Sequence, residues 1–289
     1  MTDSAVKVTG LTRTQGQFHL GPLDFELPTG LVMGFVGPNG SGKTTTIKTL
    51  LGMVRPDSGR VELFEGMSPG SASAKERIGV VLDHLFITPE WKVESLTRRL
   101  GPFFSNWDPS TFQAYLDRFG ISREAQIGTL SRGEGVKLSV SMALAHHPEL
   151  LILDEPTSGL DPVSRADLVD ILREFMVDPD HSILFSTHIT SDLDNLADLI
   201  MVIDDGHIEY SGTVDGLRER FAMVHGTEQL SPAAAGSIMG LRQTGSRFDG
   251  LIRSDATPLF GQTTVIDDAT TDDVIVHLAR RGATQKEHS

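Results

Sequence analysis

Leu31-Val32-Met33-Gly34-Phe35-Val36-Gly37-Pro38-Asn39-Gly40-Ser41-Gly42-Lys43-Thr44 runs from an apolar stretch through a glycine-rich turn into Lys-Thr. Leu31 to Val36 has the composition of a strand buried on both faces. From Lys43 to Leu51 the spacing of apolar residues turns helical, and Gly52 closes the pattern. Gly37 to Thr44 therefore places G-x-x-x-x-G-K-[ST] between a strand and a helix. Glycines there let backbone N–H groups converge on phosphate oxygens, where side chains would block the approach. The helix start adds its positive dipole end. Lys43 can reach β- and γ-phosphates, and the Thr44 hydroxyl can ligate Mg²⁺. Gly37, Pro38, Asn39, Gly40, Ser41, Gly42, Lys43, Thr44 and Thr45 are the expected nucleotide-binding residues.

Upstream, residues 5–36 read as strands, with Leu23, Phe25 and Leu27 alternating with Asp24 and Glu26. Downstream, the Arg55–Gly59 turn leads to a short strand, Val61 to Phe64. From about Asp83 to Pro148 the periodicity is helical and reads as an insertion into an α/β core. Ser110 opens one helix, with Phe112, Tyr115, Leu116 and Phe119 on one face and Gly120 as its stop. A second helix is expected over Lys137–His146, ended by Pro148.

Leu150 to Leu153 and Ser182 to Thr187 are apolar strands of the parallel type. The helix between them has Asp161 as cap and Pro162 at its first position, and Leu168, Ile171, Leu172, Phe175 and Met176 form one apolar stripe. Leu199–Ile203, Asp205-Gly206 and Ile208–Tyr210 predict a hairpin. After Val224 the composition shifts to Gly, Ser and Ala, with weak strand patterns to residue 262. A helix is expected over 270–281, with Thr270 as cap. The expected division is 1–224, carrying a helical insertion at about 83–148, and an accessory α+β region, 225–289.

The strand Leu150–Leu153 ends in Asp154-Glu155, at the end of a parallel strand where an α/β sheet binds ligands. Asp154 is suited to Mg²⁺, and Glu155, pointing the other way, to orienting or deprotonating the water that attacks a γ-phosphate. Alone, such a pair more often marks a strand-to-loop boundary. Behind a phosphate loop and ahead of Pro156-Thr157-Ser158-Gly159-Leu160-Asp161, the chemical reading prevails.

The chain has 289 residues, no Cys, and 25 basic against 39 acidic side chains, a net charge of −14. Cys-free composition removes thiolate chemistry and fits a reducing compartment. The acidic balance disfavours a nucleic-acid partner. No stretch approaches the roughly 18–20 uninterrupted apolar residues of a membrane span, and the N-terminus from Met1 lacks the pattern of a signal peptide. A soluble, cytoplasmic chain is expected, reaching a membrane only through a partner.

From about Val6 to Phe221, these segments together resemble the nucleotide-binding domain of an ABC-type ATPase. Leu130-Ser131-Arg132-Gly133-Glu134 resembles the family signature Leu-Ser-Gly-Gly-Gln, 23 residues before Asp154. The resemblance implies a P-loop NTPase core of ABC type and a dimer sandwiching two ATP–Mg²⁺. Ser131 and Gly133 of one copy would then hold the γ-phosphate bound by the other, with Asp161 on the crossing loop. It also implies that His188, 34 residues after Asp154, is the switch histidine contacting the γ-phosphate.

The departures from the family pattern are as telling. Arg132 replaces a glycine, which requires an ordinary backbone there or strain, and Glu134 stands where glutamine is usual. Asp83 takes the place of another glutamine and remains a candidate Mg²⁺ ligand through water. Gln15 occupies the position of the adenine-stacking aromatic, leaving Phe18 as its substitute.

Translation-type members carry two such domains, more than 289 residues hold. Chromosome-maintenance members separate the two motifs by a long coiled coil, whereas Ser131 follows Lys43 by 88 residues without heptads. A transporter subunit remains. Gly21–Phe25, Ile78–Asp83, Asn106–Asp108 and Phe185–Asp192 resemble bacterial ATPases paired with ABC-2-type permeases, often exporters. This implies an integral membrane permease partner, a homodimer or paralogous ATPase partner, peripheral attachment to the inner face of the membrane, and motion passed to a permease helix through a groove near Asp83–Trp91. The alternative is a soluble ATP-driven switch or scaffold with no transport partner.

Overall fold

The computed structural model describes residues 3–85, 87–193, 196–227, 229–261 and 263–286. Met1 and Thr2 of the leader reading, and Phe86 within the Asp83–Trp91 segment, lie outside them.

Strands β1 (Ser4–Gln15) and β2 (Phe18–Pro28) form an antiparallel pair, followed by β3 (Val32–Val36) and helix α1 (Lys43–Leu50). Strand β4 (Ser58–Leu63) returns to β1, giving a three-stranded sheet ordered β2-β1-β4. Alternation in β2 turns Leu20, Leu23, Phe25 and Leu27 inward, onto Phe35, Ile47 and Leu63. Helix α2 (Ala72–Glu76) and strand β5 (Ile78–Val81) complete this half.

The helical insertion contains α3 (Leu96–Leu100), α4 (Pro109–Phe119) and α5 (Arg132–Leu144), around Val93, Leu96, Phe112, Leu116 and Leu138. Asp108 caps α4 by accepting from Ser110 N, Pro109 follows at the first position, and Gly120 ends the helix at φ 66°. The expected helix from Lys137 to His146 instead starts at Arg132 and ends at Leu144. Gly133 and Gly135 weaken helix propensity in the first turns, but a Ser131–Glu134 capping box supplies the start.

The central sheet adds β6 (Leu150–Asp154), β7 (Ser182–Thr187), β8 (Leu199–Asp204) and β9 (His207–Thr213), in the order β5-β6-β7-β3-β8-β9. Every pairing is parallel except β8–β9. Helix α6 (Pro162–Phe175) covers one face, burying Leu168, Ile171 and Leu172. The β8–β9 turn has Asp205 at φ 40° and Gly206 at φ 82°, both positive as a two-residue type I′ hairpin requires.

Helix α7 (Val214–Arg220) leads to β10 (Phe221–Gly226), then α8 (Pro232–Ser237), β11 (Met239–Thr244), β12 (Arg247–Arg253), β13 (Val265–Asp268) and α9 (Thr271–Lys286). The weak patterns of this region resolve into a four-stranded antiparallel sheet ordered β11-β12-β10-β13. Its Leu251 and α9's Val274, Ile275 and Leu278 share one apolar cluster with Leu172, Ile183 and Val202 of the central layer.

Candidate functional site

Strand order assembles the site. Because β7 lies between β6 and β3, the phosphate loop after β3, the carboxylates ending β6 and the histidine after β7 meet at one carboxyl edge. The loop is braced from outside its own segment. A Cβ on Gly37 would fall 2.2 Å from the Ile203 carbonyl oxygen, so β8 presses against the loop's first residue. Gly206 N donates to Ser41 O at 3.0 Å, a hairpin contribution that no local motif signals. Gly42 takes φ 113°, a conformation L side chains rarely adopt, and a Cβ there would meet Leu20 Cδ1 at 2.5 Å.

Lys43 is buried. Its Nζ donates to Gly37 O at 2.7 Å and Pro38 O at 3.2 Å, and lies 3.4 Å from Glu155 Oε1. Burial pulls its pKa down, opposed by the charges of Glu155 and Asp154. The cation is held by loop carbonyls and one carboxylate, ready to turn to a phosphate.

Asp154 is 1% exposed; its Oδ1 accepts from Ser186 Oγ at 3.0 Å. Its Oδ2 has no hydrogen-bond partner among the described residues. Burial pushes its pKa up, against the Thr44 and Ser186 hydroxyls, and the Asp83 and Glu155 charges add to the rise. An orphaned, buried carboxylate oxygen beside Thr44 fits a divalent cation, which would offset that penalty. Among the described residues no group of three His, Cys, Asp or Glu side chains is placed to hold a metal alone, so phosphate oxygens and water would complete the coordination, as Mg²⁺ prefers.

Glu155 follows at φ 53°, in the left-handed region that costs a non-glycine residue about 1–2 kcal/mol. The bend leaves its amide on the ladder, donating to Ser186 O at 2.9 Å. Its Oε2 lies 2.6 Å from His188 Nδ1, and Lys43 holds the other oxygen. A carboxylate between a lysine and a histidine, at a phosphate loop, can position and deprotonate water.

A cavity of about 400 Å³ is lined by Gln15, Phe18, Asn39, Gly40, Gly42, Lys43, Thr44, Thr45, Asp83 and Glu155. It thus joins the loop, the general-base candidate, the Asp83 position and the Phe18 substitute for the adenine-stacking aromatic, with Gln15 beside it.

An ABC transporter family profile matches residues 20–158. Over 223 residues the chain is 31% identical to the bacitracin transport ATP-binding protein BcrA of Bacillus licheniformis, covering 74% of this chain and 72% of that protein. Over 224 residues it is 34% identical to the daunorubicin/doxorubicin resistance ATP-binding protein DrrA of Streptomyces peucetius, covering 74% and 67% respectively. A solved ATP-binding subunit of an ABC transporter shares the fold, with TM-score 0.67 at 23% identity over 74% of this chain and 92% of that one. The chain belongs to the ABC transporter ATP-binding family. It is an ATP-binding ABC ATPase, which hydrolyses ATP to drive transport.

Ser131 and Arg132, of the signature-like stretch, line a different cavity from Lys43, the two cavities sharing Asp83. Ser131 Oγ accepts from Glu134 N at 3.2 Å and donates to Glu134 Oε2 at 2.7 Å, and Ser131 N donates to the same oxygen at 2.8 Å. Hydrogen bonds from Ser131 hold the Glu134 carboxyl below its ordinary range, so the unusual residue is charged. Arg132 opens α5 with a negative φ, so the replacement of glycine is unstrained. Its side chain lies across Gly159, whose hypothetical Cβ would meet Arg132 Cδ at 3.1 Å; one at Gly133 would meet Leu160 Cδ2 at 3.4 Å. Signature and crossing loop are thereby packed together. Asp161 caps α6, accepting from Val163 N at 3.0 Å, Ser164 N at 3.1 Å and Ser164 Oγ at 2.6 Å.

The motif reading missed Asp192. It is 5% exposed, accepts from the Thr157 hydroxyl at 2.5 Å and faces Arg165 Nε at 3.5 Å. Thr157 and Arg165 lie more than 25 residues away in sequence, and local spacing carries no sign of the link.

Two further clefts flank the insertion. Asp83, His84, Leu85 and Ile87 line one of about 270 Å³ together with Ser131 and Arg132. A larger, mostly apolar one of about 450 Å³ is lined by Leu51, Met53, Ile78, Leu100, Phe104 and His146. His146 is buried, stacked on Phe104 at 4.2 Å, with Nε2 3.0 Å from Ile78 O. No helix among the described residues is long and apolar enough to cross a membrane.

Proposed function

We propose that this chain is the cytoplasmic ATPase subunit that drives a separate ABC-2-type permease, working at the inner face of the membrane by ATP-dependent dimerisation. The observation that carries the dimer is that Lys43 and Ser131 line different cavities. A nucleotide on Lys43 leaves the signature of the same chain unused, whereas a second copy or a paralogue supplies one. Thr44 and Asp154 would hold Mg²⁺, with Asp83 a further candidate ligand through water, and the bound cation would supply charge neutralisation at the γ-phosphate. Glu155 deprotonates the attacking water, His188 contacts the γ-phosphate and supports Glu155, and Lys43 turns from the Gly37 carbonyl to the phosphates. Phe18 gives the adenine ring an apolar face.

The permease helix docks in the larger apolar cleft between the core and the insertion, beside rather than within the Asp83–Trp91 segment. Closure of the insertion then moves it. BcrA and DrrA, named for bacitracin transport and for daunorubicin/doxorubicin resistance, support export of a drug, a peptide or an envelope-related substrate.

Glu155→Gln tests the cycle. Hydrolysis should fall by at least about 100-fold, the scale of general-base catalysis, while ATP affinity is kept and a dimer persists in ATP on size-exclusion chromatography. Equal hydrolysis by wild type and variant would remove Glu155 from this role. Co-purification of a polytopic membrane protein in detergent separates the transporter from a soluble switch.

A further inference from the structure

Nothing in this cycle uses residues 221–286, yet α9 reaches the site. Three residues after β7, Thr190–Asp192 form a single 3₁₀ turn, and three connections leave it. At its approach, His188 meets Glu155. At its end, Asp192 accepts from Thr157, the residue just before the crossing loop. At its start, the Thr190 hydroxyl donates to Asp272 Oδ1 in the first turn of α9. Thr190 is 3% exposed while Asp272 is exposed, so the bond is part-buried, anchored at its Thr190 end.

Asp272 has no duty as a helix cap. That role belongs to its neighbours: Asp273 N donates to Thr270 Oγ1 at 3.1 Å, and Thr270 N donates to Asp273 Oδ2 at 3.0 Å. Below the turn, Leu193 is buried close to Gly34 of β3, where a Cβ would meet its Cδ1 at 2.5 Å, and it shares an apolar cluster with Val274, Ile275 and Leu278 of α9. The start of α9 is therefore seated against the switch turn by packing and by one part-buried hydrogen bond.

We infer that Asp272 is a positioning residue for hydrolysis: through Thr190 it fixes the turn that holds His188 against Glu155, and so makes the accessory region a regulator of turnover. This rests on the proposed roles of Glu155 and His188. Displacing α9 loosens the His188–Glu155 contact without touching the phosphate loop. Turnover responds, and nucleotide affinity does not.

The test uses the full chain: steady-state ATP hydrolysis, binding of a fluorescent ATP analogue and the thermal unfolding midpoint, for Thr190→Val, Asp272→Ala, the double variant, Thr190→Ser and Asp272→Asn. Val and Ala remove the hydrogen bond, whereas Ser and Asn keep a donor and an acceptor. In Thr190→Val and Asp272→Ala, kcat should fall about tenfold, within the loss that a misplacement of about 1 Å produces. Analogue affinity should stay within about twofold. The double variant should be no slower than either single one, and Thr190→Ser and Asp272→Asn should recover most of the rate.

Wild-type turnover in Asp272→Ala, additive losses in the double variant, or an Asp272→Asn as slow as Asp272→Ala would each overturn the inference. Glu155→Gln runs in parallel. If it hydrolyses ATP normally, the reading beneath fails; if it is silent while Asp272→Ala is normal, only the positioning role fails.

Discussion

Glu155 shows how single residues carry this site. Its left-handed backbone turns the carboxylate away from the β6 ladder toward Lys43 and His188. The same sequence in an ordinary extended conformation would leave Asp154 and Glu155 on opposite faces of the strand. Glu134 is the complementary case. Its carboxylate occupies the Ser131 hydroxyl and places a negative charge where the proposed dimer would bring a γ-phosphate. Glu134→Gln should therefore tighten the ATP-dependent dimer about threefold to tenfold, the scale of one screened like-charge contact. Sedimentation of the Glu155→Gln background with and without this second change measures the effect, and an unchanged or weaker dimer would contradict it. Asp154, Glu155, Lys43 and His188 were each legible from motif and strand-end placement. The Glu155 bend, the Asp192–Thr157 bond and the Gly206 brace were not, because each depends on a partner remote in sequence.

At the scale of elements, capping explains most boundaries. Helix α6 begins where Asp161 and Pro162 predict it, since an acceptor at the cap and a residue without N–H at the first position satisfy the orphan groups of the first turn. The Ser164 hydroxyl, then the backbone amides, hold the Asp161 carboxyl below its ordinary value of 3.8. A depressed pKa contributes stability that is full above the unfolded value and lost as pH falls through the folded one. Asp161→Asn keeps a capping oxygen but removes the charge. It should be less stable than wild type near pH 7, with the difference shrinking once pH falls below 3.8; urea unfolding above and below that pH checks this. A constant gap would mean the charge is irrelevant to the cap. Helix α5 illustrates the opposite situation. Its glycines hide the start from a periodicity argument, and only the reciprocal Ser131–Glu134 bonds reveal it.

At the scale of the whole molecule, one apolar cluster spans the central layer and the accessory region. Leu278 and Leu251 lie in the same cluster as Leu172, Ile183 and Phe185. Leu278→Ala should cost about 2–5 kcal/mol, the range for a buried leucine, and should shift one cooperative transition that includes loss of ATP-analogue binding. Unfolding of the accessory sheet in a separate, earlier transition would argue for an autonomous unit. The amino-acid sequence alone determined the phosphate loop, the acidic strand end, the parallel α/β core and the helical insertion. Those features are written in local chemistry: glycines where backbone must approach phosphate, apolar runs where strands are buried, caps where helices start. Tertiary structure alone decided that β7 separates β6 from β3, that a hairpin braces the loop, and that α9 touches the switch turn. Such pairings depend on which surfaces exclude water together, and no window of neighbouring residues contains that information.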